Sequence, residues 1–247
     1  MTLVRTSITD PICVDFLPRE TSPLHGRIGL TIAPGKKDSA GRWNRDLDQA
    51  LKRLRETVDT KLLVSLVEDH ELILLGIEDL RSQALAAGIR VVRHPIRDAG
   101  IPKDMDAIVR LVRVVLAAAE AGDNTVIHCR GGLGRSGLLA ACCLAAQGHA
   151  ARSAILTVRA ARTGAVETRE QERFVSAFLA AWHTGRPLIP ASSRFVGCLL
   201  GGAIGDALGY PVEFLRSTQD IQRVLGPVVP EHLPRRPGGK ALVSDDT

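Results

Sequence analysis

The stretch that most constrains this chain runs from Thr125 to Ala146. Thr125-Val126-Ile127 is an apolar run of strand type. His128-Cys129-Arg130-Gly131-Gly132-Leu133-Gly134-Arg135-Ser136 is a glycine-rich loop, and Gly137 to Ala146 is an apolar, helix-forming segment. The pattern predicts a buried strand, a tight loop and a buried helix that starts after Ser136. The loop holds no proline, so every residue from Arg130 to Ser136 offers a backbone N–H. Gly131, Gly132 and Gly134 let the chain curl until these donors converge. Convergent N–H groups capped by the positive end of a helix form an anion cradle.

The side chains in the loop point to phosphoryl chemistry. The field that holds an anion also stabilises a thiolate, which makes Cys129 a nucleophile near neutral pH. Arg135, six residues further on, can fold back and hold two phosphate oxygens with its planar fork. The Ser136 hydroxyl can hydrogen-bond the sulfur as it leaves. His128, Arg130, Gly131, Gly132, Leu133 and Gly134 complete the candidate substrate-binding set.

Two further stretches belong with this loop. His94 to Pro102 reads as a loop by its proline and glycine content, and it follows a predicted strand. In an open α/β sheet it opens on the same edge as the Cys129 loop. Asp98 within it can give a proton to a departing alkoxide or phenoxide, then take one from water in a second step. The charge of a bound phosphate favours its protonated form. The third stretch is Arg159 to Gln171, where Gln171 is placed to orient the hydrolytic water and Arg159 to brace the carbonyls of the phosphate loop.

Cys-x5-Arg-Ser preceded by His resembles the signature of the cysteine-dependent protein tyrosine and dual-specificity phosphatases. Adding His94-Pro95-Ile96 with Asp98, then Arg159, Arg162, Gly164-Ala165 and Gln171, the chain resembles the cyclin-dependent-kinase-associated branch over roughly residues 25–183. The resemblance implies a phosphorylated protein substrate and a phosphocysteine intermediate on Cys129. It also implies Arg135 as phosphate grip, Asp98 as general acid, and no metal cofactor. The kinase substrate that the branch is named for is not carried over. A rhodanese-like sulfurtransferase ranks well below this reading. The competing class is a phospho-binding or regulatory module that captures without turnover; the presence of both Cys129 and Asp98 favours the enzyme.

The rest of the chain predicts an α/β fold, a largely parallel sheet flanked by helices. Strands are expected within Ile12–Leu17, Arg27–Ile32, Leu62–Val67 and Ile89–Arg93. Helices are expected over Asp46–Val58, Asp79–Ala87, a long segment begun by Pro102, Ala150–Arg162 and Arg169–Trp182. Lys36 and Lys37 read as a solvated turn rather than a substrate contact. Aromatic residues are only 3 % of the chain, so the core must be built from Leu, Val, Ile and Ala. A net charge of +5, without a Lys/Arg block, attracts acidic substrates but does not suggest nucleic acid. The five cysteines, Cys13, Cys129, Cys142, Cys143 and Cys198, form neither a disulfide framework nor a zinc pattern. Core packing is the expected role of Cys142 and Cys143. A catalytic thiolate and the lack of a spanning segment fit a cytoplasmic protein that does not engage a membrane.

The expected organisation is a phosphatase domain over 1–186, a linker over 187–193 and a mostly helical segment over 194–247. That last segment resembles the opening of an ADP-ribosylglycohydrolase, through Gly201-Gly202-Ala203-Ile204-Gly205-Asp206-Ala207-Leu208-Gly209 and Ser244-Asp245-Asp246-Thr247. The resemblance implies Ser244, Asp245 and Asp246 as magnesium ligands and Glu213 as a candidate active-site carboxylate. The family's other metal ligands come from its far end, so an incomplete metal site without glycohydrolase activity is expected here.

Overall fold

In a computed structural model, the described residues are 4–38 and 40–184. The elements in chain order are β1 (Arg5–Thr6), β2 (Asp15–Phe16), β3 (Ile28–Thr31), β4 (Trp43–Asn44), α1 (Leu47–Glu56), β5 (Thr60–Ser65), α2 (Asp69–Leu75) and α3 (Leu80–Ala86). They continue with β6 (Arg90–Arg93), α4 (Met105–Glu120), β7 (Asn124–His128), α5 (Gly134–Ala146), α6 (Ala151–Ala161) and α7 (Arg169–Thr184). Five strands form one sheet in the order β2-β3-β7-β5-β6. Only the edge pair β2–β3 is antiparallel; β3, β7, β5 and β6 run parallel, as the sequence pattern predicts.

The strands are apolar on both faces because helices cover both. On β5, Leu62 and Val64 join the core beneath α4, α5, α6 and α7, while the intervening Leu63 joins a second core with α1 and α3. The same alternation puts Ile127 and Val126 of β7 on opposite sides. α5 is buried along nearly its whole length. Its small residues Ala140, Ala141, Cys142 and Cys143 are fully covered and allow close approach of the neighbouring helices. Burial pushes the Cys143 thiol up to about 12 and that of Cys142 well above its ordinary value, as core packing requires.

This topology fixes where a site can form. Thr31, His128, Ser65 and Arg93 are aligned at the carboxyl ends of β3, β7, β5 and β6. The loops that begin after them share one edge of the sheet. They include the Cys129 loop and the Asp98 loop.

Two expectations need correction, and one strand pair is new. α5 begins at Gly134 rather than after Ser136, so Arg135 and Ser136 lie in its first turn. The long helix α4 is begun by Asp104, whose carboxylate accepts from Ala107 N–H at 3.0 Å, and not by Pro102. The parallel pair β1–β4 was not expected, because strands of two residues carry no alternation to read.

Candidate active site

Cys129 follows β7 directly and is 3 % exposed. Gly132 N–H donates to its Sγ at 3.2 Å, and Ser136 Oγ lies 3.5 Å from the same sulfur. The loop thus wraps the sulfur with a backbone donor and a hydroxyl. Of the three loop glycines, Gly132 alone has a left-handed backbone, with φ +73°. A Cβ there would stand 2.4 Å from the Thr31 carbonyl oxygen on β3. At Gly134 the demand is for space, since a Cβ would meet Glu167 Oε2 at 2.3 Å. At Gly131 nothing lies within 4 Å. Gly132→Ala is therefore expected to cost on the order of 1–3 kcal/mol of stability and to reduce turnover roughly tenfold or more by shifting the loop. Gly131→Ala should be near neutral; thermal unfolding and aryl phosphate hydrolysis of the two variants check the contrast.

Arg135 is 1 % exposed and heavily engaged. Its Nη1 donates to Glu71 Oε2 at 2.5 Å and to the Ile96 carbonyl at 2.9 Å. Its Nη2 donates to Glu71 Oε1 at 2.9 Å and to Asp98 Oδ1 at 2.8 Å. Burial alone would disfavour the guanidinium charge. Glu71 outweighs it, with further help from Cys129 and Asp98, and the Arg135 pKa lies above its ordinary value. Glu71 was not singled out from the sequence. It is 2 % exposed at the third position of α2, in a reciprocal capping box with Glu68. Burial pushes its carboxyl up, but the hydrogen bonds from Arg135 and from Glu68 N–H prevail and leave it below the ordinary carboxylate value. The spacing of Glu68 and Glu71 is a helix-start signature; that one of the pair turns inward becomes legible only with Arg135 in place.

Asp98 reaches the loop from the edge of β6. Its side chain is 57 % exposed, with Oδ1 on Arg135 and Oδ2 3.9 Å from Arg130 Nη1. Ala99, next in sequence, has φ +56° and donates its N–H to Asp98 Oδ1 at 3.1 Å. Gln171 is fully buried at the start of α7. Its Oε1 accepts from Glu167 N–H at 2.9 Å, and its Nε2 donates to the Gly100 carbonyl at 3.1 Å. It therefore ties the Asp98 loop to α7.

The bracing arginine differs from the one expected. Arg159 binds the carbonyls of Ala165 and Val166 and pairs with Glu172, so it holds the turn before α7. Arg162 reaches the phosphate loop instead, donating to the Gly131 carbonyl at 3.2 Å while ion-paired with Asp15. The side chain at 162 points back over the loop because the chain leaves helical geometry there, at φ −142°.

His128 is completely buried. Its Nδ1 lies 3.3 Å from the Cys129 carbonyl and its Nε2 has no partner among the described residues. Burial lowers its pKa to about 4, so the ring is neutral near pH 7. Ser244, Asp245, Asp246, Glu213, Cys198 and the 187–193 linker lie outside the described residues. Among the described residues no helix is long and apolar enough to cross a membrane.

Comparison with known proteins agrees with this geometry. Residues 45–175, more than half of the chain, match the family model described as Swiss Army Knife protein, DSP-PTPase phosphatase domain. Residues 187–247 match the ADP-ribosylglycohydrolase model. Cyclin-dependent kinase inhibitor 3 of Rattus norvegicus is 29 % identical over 188 residues, covering 74 % of this chain and 87 % of that protein. Protein tyrosine phosphatase domain-containing protein 1 of Mus musculus is 36 % identical over 97 residues, covering 39 % of this chain and 13 % of that protein. The crystal structure of kinase associated phosphatase with its catalytic-site cysteine changed to serine superimposes with TM-score 0.64 at 25 % identity, covering 70 % of this chain and 96 % of that one. Tk-PTP in its active form gives TM-score 0.54 at 27 % identity over 68 % of this chain and 96 % of that one. A cysteine under a glycine-turned loop, an arginine at its helix end and this match together identify the chain as a member of the dual-specificity/tyrosine phosphatase family, a protein phosphatase that hydrolyses phosphate monoesters.

Proposed function

We propose that Cys129 is the nucleophile, Arg135 the phosphate grip and Asp98 the general acid and base of a two-step hydrolysis of phosphorylated protein side chains. The observation that carries this reading is the contact of Gly132 N–H with Cys129 Sγ in a loop whose Arg135 holds Asp98. In the first step the thiolate attacks phosphorus, the P–S bond forms, and the P–O bond to the side chain breaks as Asp98 protonates the leaving oxygen. In the second step water attacks phosphorus, Asp98 takes its proton, and the P–S bond breaks to release inorganic phosphate and the thiolate. The Ser136 hydroxyl stabilises the sulfur as it leaves. Gly131, Gly132, Leu133 and Gly134 present backbone donors, with Arg130 at the rim and the neutral His128 ring beneath. Gln171, with both ends of its amide engaged, serves first to position the Asp98 loop; its second N–H is left to orient water.

Ligand entry follows from the contacts of Arg135. Glu71 and the carbonyl of Ile96 are buried behind it, whereas Asp98 is its exposed partner. An incoming phosphate replaces Asp98 on Nη2 and frees its carboxyl to face the leaving oxygen. Asp98→Asn is therefore expected to lower kcat about a hundredfold on an alkyl phosphate, less on nitrophenyl phosphate, and to lower KM by weakening a competitor for Arg135. Steady-state kinetics on both substrates measure it.

The reading extends to a reducing cytoplasmic setting, to a phosphatase unit over 1–186, and to a separate unit after the 187–193 linker. The chemistry of this family needs no metal, and no magnesium step enters it. Denaturing quench during turnover, with a chelator present, followed by peptide mapping, tests the mechanism. Phosphate on Cys129 is the expected result. Turnover that stops on chelation, or that never labels Cys129, would reject it, and tight binding without turnover would favour the phospho-binding module.

A further inference from the structure

His128 is a buried ionisable group to which the two-step reaction gives no task. Its ring lies against the next peptide of its own chain, with Nδ1 3.3 Å from the Cys129 carbonyl. A carbonyl oxygen only accepts, so Nδ1 must carry a proton. The ring is neutral near pH 7, since burial lowers its pKa to about 4. Nε2 therefore keeps its lone pair, and that lone pair needs a donor. Among the described residues it has none.

Unused donors lie on the two neighbouring strands. Ser65 of β5 is in register with His128 of β7 on one side and with Arg93 of β6 on the other. Residues in register on adjacent strands project from the same face of a sheet. The packing agrees. Leu63 and Val126, two residues before Ser65 and His128, join the core with α1 and α3, and Val91, two before Arg93, packs against the same core. Ser65 and His128 are both 0 % exposed. Ser65 Oγ and Arg93 Nε are buried, and neither has a hydrogen-bond partner among the described residues. The rest of the Arg93 guanidinium is fixed, because Nη2 donates to the Val67 carbonyl at 3.2 Å and pairs with Asp69 at 2.8 Å. The row thus sets two donors, on Ser65 and Arg93, beside one acceptor on His128. One water satisfies all three, accepting twice and donating once, which is the usual bonding of a buried water.

We propose that Ser65 is a positioning residue for the phosphate loop: its hydroxyl, through one buried water shared with Arg93 Nε–H, supplies the hydrogen bond to His128 Nε2. That bond fixes the tautomer with the proton on Nδ1, and with it the hydrogen bond to the Cys129 carbonyl. In the trans peptide after Cys129, the carbonyl and the Arg130 N–H point in opposite directions. Holding the carbonyl on His128 therefore aims the Arg130 N–H away from the ring and at the anion held by the loop. This last step rests on the phosphatase reading above; the hydrogen bonding of the ring does not.

The test uses the full chain labelled with ¹⁵N-histidine, with the His128 signals assigned by their loss in His128→Asn. The wild type is expected to show the Nδ1–H tautomer with a hydrogen-bonded Nε2. Ser65→Ala should move the Nε2 signal towards that of an unbonded ring nitrogen, and Ser65→Thr should keep it in place. The second readout is orthovanadate inhibition of nitrophenyl phosphate hydrolysis. In Ser65→Ala the inhibition constant should rise and kcat should fall, each roughly tenfold, with KM changed less than about twofold, as for a donor that acts in the transition state. Ser65→Thr should restore both. An Nε2–H tautomer in the wild type would overturn the proposal even if a variant failed to fold. So would a His128 spectrum unmoved by Ser65→Ala. A moved spectrum with unchanged kcat and vanadate affinity would also overturn it, making Ser65 a partner of the ring without effect on the loop. Absence of wild-type turnover on nitrophenyl phosphate beside the expected His128 spectrum would strike the phosphatase reading itself, a result distinct from failure of the ring's hydrogen bond.

Discussion

Cys129→Ser is expected to abolish aryl phosphate turnover, by on the order of 10⁵-fold or more, while phosphate esters still bind. A thiol yields a usable thiolate in an anion-stabilising loop, whereas a serine hydroxyl stays protonated at any working pH. Among the described residues no neighbouring group is placed to activate it. Ser136 Oγ is itself a hydroxyl, and the His128 ring lies buried beneath the loop with its pKa near 4. Binding persists because the rest of the cradle is untouched. Gly132 N–H, released from sulfur, turns to the ligand, and the Arg135 fork remains fixed by Glu71. The variant should melt close to the wild type and titrate with a phosphopeptide that it does not consume. Undiminished turnover would reject the cysteine mechanism outright.

The sequence carried the grouping of the candidate site residues further than the contacts that hold them. Cys129, Arg135, Ser136 and Asp98 were legible because each sits in a loop or cap whose spacing has a chemical reason, and the topology brings those loops to one edge. The parallel sheet was legible from short apolar runs alternating with helical stripes. Glu71 was not, because Glu68-Asp69-His70-Glu71 reads as a polar helix start, and nothing local says which carboxylate turns into the core. The exchange of roles between Arg159 and Arg162 was equally hidden, since both lie at the end of one helix and backbone geometry decides which reaches Gly131.

Glu71→Gln is expected to destabilise the fold by about 3–5 kcal/mol, because it removes the buried counter-charge of Arg135 and leaves only the exposed Asp98. Both side chains are at most 3 % exposed and are joined by two hydrogen bonds of 2.5 and 2.9 Å. A glutamine accepts one of these bonds and presents an N–H to the other. The pH dependence has a definite sign. The Glu71 carboxyl lies below its ordinary value in the fold, so its stabilising contribution is fully present above that value and is lost as pH falls through the folded pKa. The wild type should therefore lose stability in acid more steeply than Glu71→Gln does. A second variant separates stability from chemistry. Removing both charges, as Glu71→Leu with Arg135→Met, should recover most of the lost stability, because neither group is then stranded, yet leave turnover near that of Arg135→Met alone. Urea unfolding across pH, read beside nitrophenyl phosphate hydrolysis, measures both effects. Wild-type stability in Glu71→Gln would mean that Arg135 finds another acceptor. The exposed carboxylate of Asp98, 2.8 Å from Nη2, is the charged one at hand, and the carbonyls of Ile96 and Leu66, at 2.9 and 3.5 Å from Nη1, are uncharged. On the proposed mechanism the pair is a positioning device: Glu71 holds the guanidinium from the core side, and its exposed partner Asp98 marks the side on which a phosphate would enter.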